Sequence, residues 1–81
     1  MKGGFNLVLF KHNYSALQEK IKDLYGTNEV FAKQIGLSPN TLINYFGNKT
    51  SIPSDKIEII RKALNIKDYE ISKYFFEPDV S

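Results

Sequence analysis

The chain contains no cysteine and a single histidine, His12. No disulfide framework can staple it, and no thiolate metal site can form. One imidazole supplies neither a metal cluster nor an acid–base pair, and no cofactor is expected. Long hydrophobic runs are missing as well. The one apolar run near the start, Phe5–Phe10, is interrupted by Asn6 and is too short for a membrane span or a signal-peptide core. No membrane partner is therefore expected, and the expected compartment is the cytoplasm. There is no glycine-rich phosphate loop and no acidic or histidine cluster at ligand spacing. A helical chain of 81 residues rarely encloses a substrate pocket, so neither an enzyme nor a small-molecule substrate is expected.

What the chain does have is apolar residues at 42% and a net charge of +2 that is unevenly spread. That length and composition suit one hydrophobic core and leave too little chain for a second. Residues 1–67 hold ten Lys/Arg against five Asp/Glu, a surplus of +5, while in residues 68–81 Lys73 faces Asp68, Glu70, Glu77 and Asp79, giving −3. A basic body with an acidic end suits a polyanionic partner, and the acidic end is expected to face away from any phosphate backbone.

The most informative stretch runs from Thr27 to Lys49, TNEVFAKQIGLSPNTLINYFGNK. Phe31 and Ile35 lie one helical turn apart with Ala32 beside them, while Asn28, Glu29, Lys33 and Gln34 fall on other faces. Gly36 can enter the left-handed conformation that ends a helix, and Leu37 then turns inward. Ser38 can cap the next helix, and Pro39 is tolerated at its first position, where the missing N–H is not needed. Ala32 is small enough for the second helix to cross closely. In that second helix Leu42, Tyr45 and Phe46 share one side, and Asn40 and Asn44 lie nearly opposite, flanked by Thr41 and Ile43. Asparagine can pair with an adenine edge, threonine can bond to several bases, and an apolar group can meet a thymine methyl. Asn40, Thr41, Ile43 and Asn44 are thus the candidate base readers.

Phe31-Ala32, Ile35-Gly36-Leu37, Ser38, Leu42, Tyr45, Lys49 and Pro53 resemble the helix-turn-helix of the phage repressor and Cro family, the lambda-repressor-like DNA-binding domains. The resemblance covers roughly residues 15–75. It implies an all-α, five-helix bundle containing a helix-turn-helix, with base-reading side chains early in the second helix of the pair. It also implies phosphate contacts at Asn28 and Lys49, and Ser38 at the start of the second helix is a further candidate phosphate contact. Two departures stand out. Pro39 replaces a polar residue that often contacts a base, and Gly47-Asn48 reverses the Asn-Gly order common in the following loop. The composition of that loop suits Asn48, Lys49, Thr50 and Ser51 to the sugar-phosphate backbone.

Around this centre the expected helices follow the apolar periodicity. The first begins at Asn13 or Ser15, with Ser15 and Gln18 at capping-box spacing, buries Leu17, Ile21 and Leu24, and stops at Gly26. A fourth helix, capped by Ser54, faces inward with Ile57, Ile60 and Leu64, widened by Ile59 and Ala63; Lys56, Arg61 and Lys62 form a solvated outer face. After a break at Asn65–Lys67, Asp68 caps a last helix carrying Ile71, Tyr74 and Phe75, and the run Tyr74-Phe75-Phe76 is read as core. Phe5–Phe10 is β-prone, and a short N-terminal strand there needs a cover: this chain's own carboxy-terminal end or a second copy. The division expected is an N-terminal arm or strand over 1–12, a helix-turn-helix DNA-binding domain over 13–76 and a C-terminal tail over 77–81.

The functional expectation is a sequence-specific transcriptional regulator binding a double-stranded DNA operator as a homodimer, with helix 39–46 in the major groove. By the resemblance it is a Cro-like or repressor-like protein of phage or prophage origin, either standing alone or as a repressor's amino-terminal domain. The alternative is a helical protein-interaction module, such as an antirepressor or a repressor partner, that keeps the helix-turn-helix shape without binding DNA.

Overall fold

The computed structural model describes residues 11–79, and the Phe5–Phe10 strand expectation lies outside them. Among the described residues the chain forms five α-helices: α1 Ser15–Tyr25, α2 Asn28–Ile35, α3 Pro39–Phe46, α4 Ser54–Ala63 and α5 Ile71–Phe75. A 3-10 turn, Asp68–Glu70, leads into α5. The fold is an all-helical bundle around one core, as the apolar stripes predict.

Phe31, Phe75, Leu17, Ile21, Leu42, Ile60, Leu64 and Ile66 are the largest fully buried side chains, so α1 to α5 each place residues in the core. Removing a Leu- or Phe-sized side chain from water is worth about 1.5–3 kcal/mol. Eight such burials outweigh any surface interaction as the source of stability. Ala32 is fully buried, as the close approach of α2 and α3 requires.

The way α2, α3 and α4 end sets the path of the chain. After α2, Gly36 adopts φ 79° and ψ 25°; its N–H donates to the Lys33 carbonyl and the Leu37 N–H to the Ala32 carbonyl at 2.8 Å. After α3 the left-handed residue is Asn48 at φ 60°, and the Lys49 N–H returns to the Asn44 carbonyl at 2.9 Å. After α4 it is Asn65 at φ 60°, and the Ile66 N–H returns to the Arg61 carbonyl at 2.9 Å. All three are Schellman endings, which satisfy otherwise orphaned carbonyls as the chain reverses. Leu37 and Ile66 are the residues thrown inward after α2 and α4; Ile66 is 2% exposed, although the sequence suggested only a break there.

Several details depart from the periodicity. Leu24 is 55% exposed, and Tyr25 takes the inward position instead, donating its hydroxyl to the Ala63 carbonyl at 2.9 Å. Positions three and four after Ile21 both suit a stripe; the neighbour at α4 selects the fourth. Ser15 does not form a capping box but is the first residue of α1, whose N–H is held by the Asn13 side chain at 2.9 Å. Ser54 likewise lies inside α4, with Pro53 at the cap position and no side-chain cap. Ile59 is 38% exposed.

Asp68 does not cap the last helical segment. The Glu70 carboxylate accepts from the Lys67 N–H at 3.0 Å, and Asp68 is drawn to Arg61 at 3.1 Å. Arg61 is therefore no freely solvated cation: it also bonds Glu58 and donates to the Ile66 carbonyl at 3.1 Å. The hydrogen bond to Glu58, more than any other contact, holds its guanidinium above its ordinary pKa. No helix among the described residues is long and apolar enough to cross a membrane.

Gly36 tests the corner directly, because a Cβ there meets nothing within 4 Å and the only obstacle is backbone conformation. Gly36→Ala is expected to lower unfolding stability by about 1–2 kcal/mol, with Gly36→Asn recovering part of the loss, as read from urea midpoints.

Candidate nucleic-acid interface

The α2–α3 corner is built by two adjacent caps. Thr27 accepts the Val30 N–H on its hydroxyl at 3.1 Å and starts α2. Ser38, at φ −80° and ψ 149°, accepts the Thr41 N–H at 3.1 Å and starts α3, with Pro39 in its first turn. The Schellman turn at Gly36 lies between them, so only Gly36 and Leu37 separate the end of α2 from the cap of α3.

On α3, Leu42 and Tyr45 are buried and Phe46 is half-buried against the core. The outer face carries the four candidate base readers. Asn40 is exposed, Thr41 and Asn44 are half-buried, and Ile43 is 55% exposed. The Asn40 and Asn44 amides make no hydrogen bond among the described residues, so each keeps a donor and an acceptor for a partner. Thr41 differs, because its hydroxyl lies 2.9 Å from the Ser38 hydroxyl. Local capping thus occupies part of the hydrogen-bonding capacity of both Ser38 and Thr41.

The expected phosphate contacts divide in the same way. Asn28 opens α2 and is half-buried, beside a shallow groove it shares with Gln18, Lys22 and Thr27. Lys49, Thr50 and Ser51 are exposed, and Lys49 forms no ion pair among the described residues. Asn48 is turned elsewhere. Its Oδ1 accepts the His12 N–H at 2.8 Å and its Nδ2 donates to the His12 carbonyl at 2.9 Å. That two-point contact imitates a β-ladder, and it places the Asn48 amide against the chain rather than toward a phosphate.

The reversed Gly47-Asn48 order now has a physical reason. Gly47 has an ordinary φ of −86°, and the left-handed position belongs to Asn48. Asparagine tolerates that conformation better than other non-glycine residues and, unlike glycine, brings an amide to bind His12.

His12 is held on its other edge too. The Asn13 N–H donates to the Glu77 carbonyl at 2.7 Å and the Asp79 N–H to the Lys11 carbonyl at 3.1 Å, around an antiparallel bridge between His12 and Pro78. The acidic end therefore runs beside Lys11–Asn13, whose opposite edge Asn48 binds. The His12 ring packs on Tyr14 at 5.9 Å and Phe76 at 5.8 Å, and its buried Nδ1 has no hydrogen-bond partner among the described residues. Burial also pushes the Tyr14 phenol above its ordinary pKa.

One protein-family model matches residues 10–78, from just before this ribbon to Pro78. The chain belongs to that family, described as Protein of unknown function (DUF739). No curated protein matches the chain. The match takes in both sides of the lock, His12 and Asn48, together with all five helices of this DUF739 chain.

Thr27 opens the stretch read from the sequence without a role there, and Lys11 and His12 lie outside that stretch. The signal for Thr27 was present, since a threonine just before an amphipathic segment is a good cap. None existed for His12, because its contact with Asn48 spans 36 residues.

The lock can be dissected by two variants. Asn48→Gly retains the left-handed backbone and loses the amide, and it is expected to destabilise by about 1–2 kcal/mol. Asn48→Ala adds the backbone cost and should lose about 1 kcal/mol more. Equal midpoints for the two variants in chemical denaturation would show that the conformational term is absent.

Proposed function

We propose that the chain is a sequence-specific double-stranded DNA-binding regulator of transcription, of the Cro-like or repressor-like type, that lays α3 in a major groove. One observation carries the reading: two asparagine amides, Asn40 and Asn44, stand one turn apart on the outer face of a helix whose other face is locked into the core. An uncommitted amide offers paired donor and acceptor groups to an adenine edge, and a firmly packed helix presents them at fixed spacing. Ile43 between them meets a thymine methyl. Lys49, Thr50, Ser51 and the amino end of α2 at Asn28 hold the sugar-phosphate backbone, while Ser38 and Asn48 position these elements rather than touch phosphate. Two copies on adjacent half-sites supply the contacts that one small domain lacks.

The 55% exposure of Ile43 supports a second reading, a protein-interaction surface centred on that residue. The buried centre of a protein interface is more apolar than its rim, and an exposed Ile suits that position.

The two readings separate in solution. Asn44→Ala is expected to weaken binding to a selected operator by about 1–3 kcal/mol while leaving binding to random duplex nearly unchanged. Affinity for random duplex should fall steeply between about 50 and 200 mM salt. Duplex selection from a random pool that enriches no sequence, together with salt-insensitive binding, would favour the protein-interaction reading. Homodimerisation through Phe5–Phe10 has its own check: removal of residues 1–10 should convert a dimer to a monomer by light scattering, and an unchanged mass would rule that segment out.

A further inference from the structure

The loop after α3 also forms part of a cleft. Residues from Lys11–Tyr14, Asn48–Ile52 and Phe75–Phe76, with Ile57, surround about 460 Å³. That is within the range of pockets that hold small molecules, about 300–1,000 Å³. The Asn48–His12 contact ties two of its borders together, so its dimensions are set by the same hydrogen bonds that lock the fold.

The lining has a definite chemical sense. Lys11 and Lys49 bring two ammonium groups, neither in an ion pair among the described residues, and Thr50 and Ser51 bring hydroxyls with no side-chain hydrogen bond there. Among the described residues no carboxylate lines the cleft. Aromatic rings complete it: Tyr14 and Phe75 are buried, and Phe76 is 50% exposed. A half-exposed phenyl ring beside unpaired cations and hydroxyls is a poor arrangement for water alone. It is a good one for a ligand with a planar ring and an anionic group, since the ring covers the phenyl face while the donors take the charge.

We propose that this cleft is a binding site for a mononucleotide-sized anion, its planar base against Phe76 and its phosphate on Lys49, Thr50 and Ser51. The ligand is bound and released unchanged. Binding to the free protein does not depend on the DNA reading. Where that reading holds, ligand and DNA phosphate share Lys49–Ser51, and the two exclude one another.

The test uses the full chain without DNA, labelled with ¹⁵N and titrated with adenosine 5′-monophosphate, adenosine or inorganic phosphate. The monophosphate should shift the amides of Lys11–Asn13 and Lys49–Ile52 in a saturable manner, and adenosine and phosphate should each bind at least about tenfold more weakly. Lys49→Ala and Phe76→Ala alter surface positions, and retained spectra of the folded state certify them. Each should weaken the monophosphate about tenfold, with Phe76→Ala leaving inorganic phosphate unaffected. Shifts absent at millimolar monophosphate, shifts confined to the outer face of α3, or equal affinity in both variants and the parent would overturn the proposal. Since no DNA is present, such a failure leaves the operator-binding result to stand or fall separately.

Discussion

Three helices of this bundle end with a residue in the left-handed conformation, and the rest of the structure depends on it. At Gly36, Asn48 and Asn65 the backbone reverses while its last carbonyls remain hydrogen-bonded, so the chain turns without leaving buried polar groups unpaired. The α2–α3 corner follows from the first of these reversals and the placement of Ile66 in the core from the third. Only the first uses glycine. At the other two positions asparagine accepts a less favourable backbone conformation, and at Asn48 the gain is visible as two hydrogen bonds to His12.

Those two bonds give the fold its closure. The segment before α1 lies between the end of α3 on one edge and Glu77–Asp79 on the other, so residues far apart in sequence share a short three-part lock. Pro78 fits this ribbon because its ring nitrogen has no proton to leave unpaired, and His12 directs its own N–H and carbonyl to Asn48. The aromatic contacts from Phe46 to Tyr14, Tyr14 to His12 and His12 to Phe76 run alongside the same lock. The helix proposed to read DNA is thus braced at its carboxy end by both ends of the described chain. The same contact borders the cleft, because His12 and Asn48 both line it.

The polar surface around α3 illustrates how little of a site is free for an external partner. Ser38 and Thr41 satisfy each other and the helix start, Asn48 satisfies His12, and Thr27 satisfies Val30. Hydroxyl and amide groups near helix ends are drawn to the orphaned backbone donors and acceptors there, which are always within reach. What remains outward is narrower and more specific: Asn40, Ile43 and Asn44 on the helix, and Lys49, Thr50 and Ser51 on the loop.

Local rules read from the sequence alone settled the helices, the Gly36 turn, the Ser38 cap with Pro39 behind it, and the burial of Phe31, Ala32, Leu42 and Tyr45. Each depends on residues within about one helical turn, whose energetics are the same in any surroundings. Tertiary structure decided what the local rules left equal. It chose Tyr25 over Leu24, because only Tyr25 has the Ala63 carbonyl to reach. It drew Arg61 and Asp68 together from positions expected to be a solvated face and a cap. It turned Asn48 from an expected phosphate contact into a clamp on His12, a choice invisible in sequence because the two residues stand 36 positions apart and meet only in the folded chain.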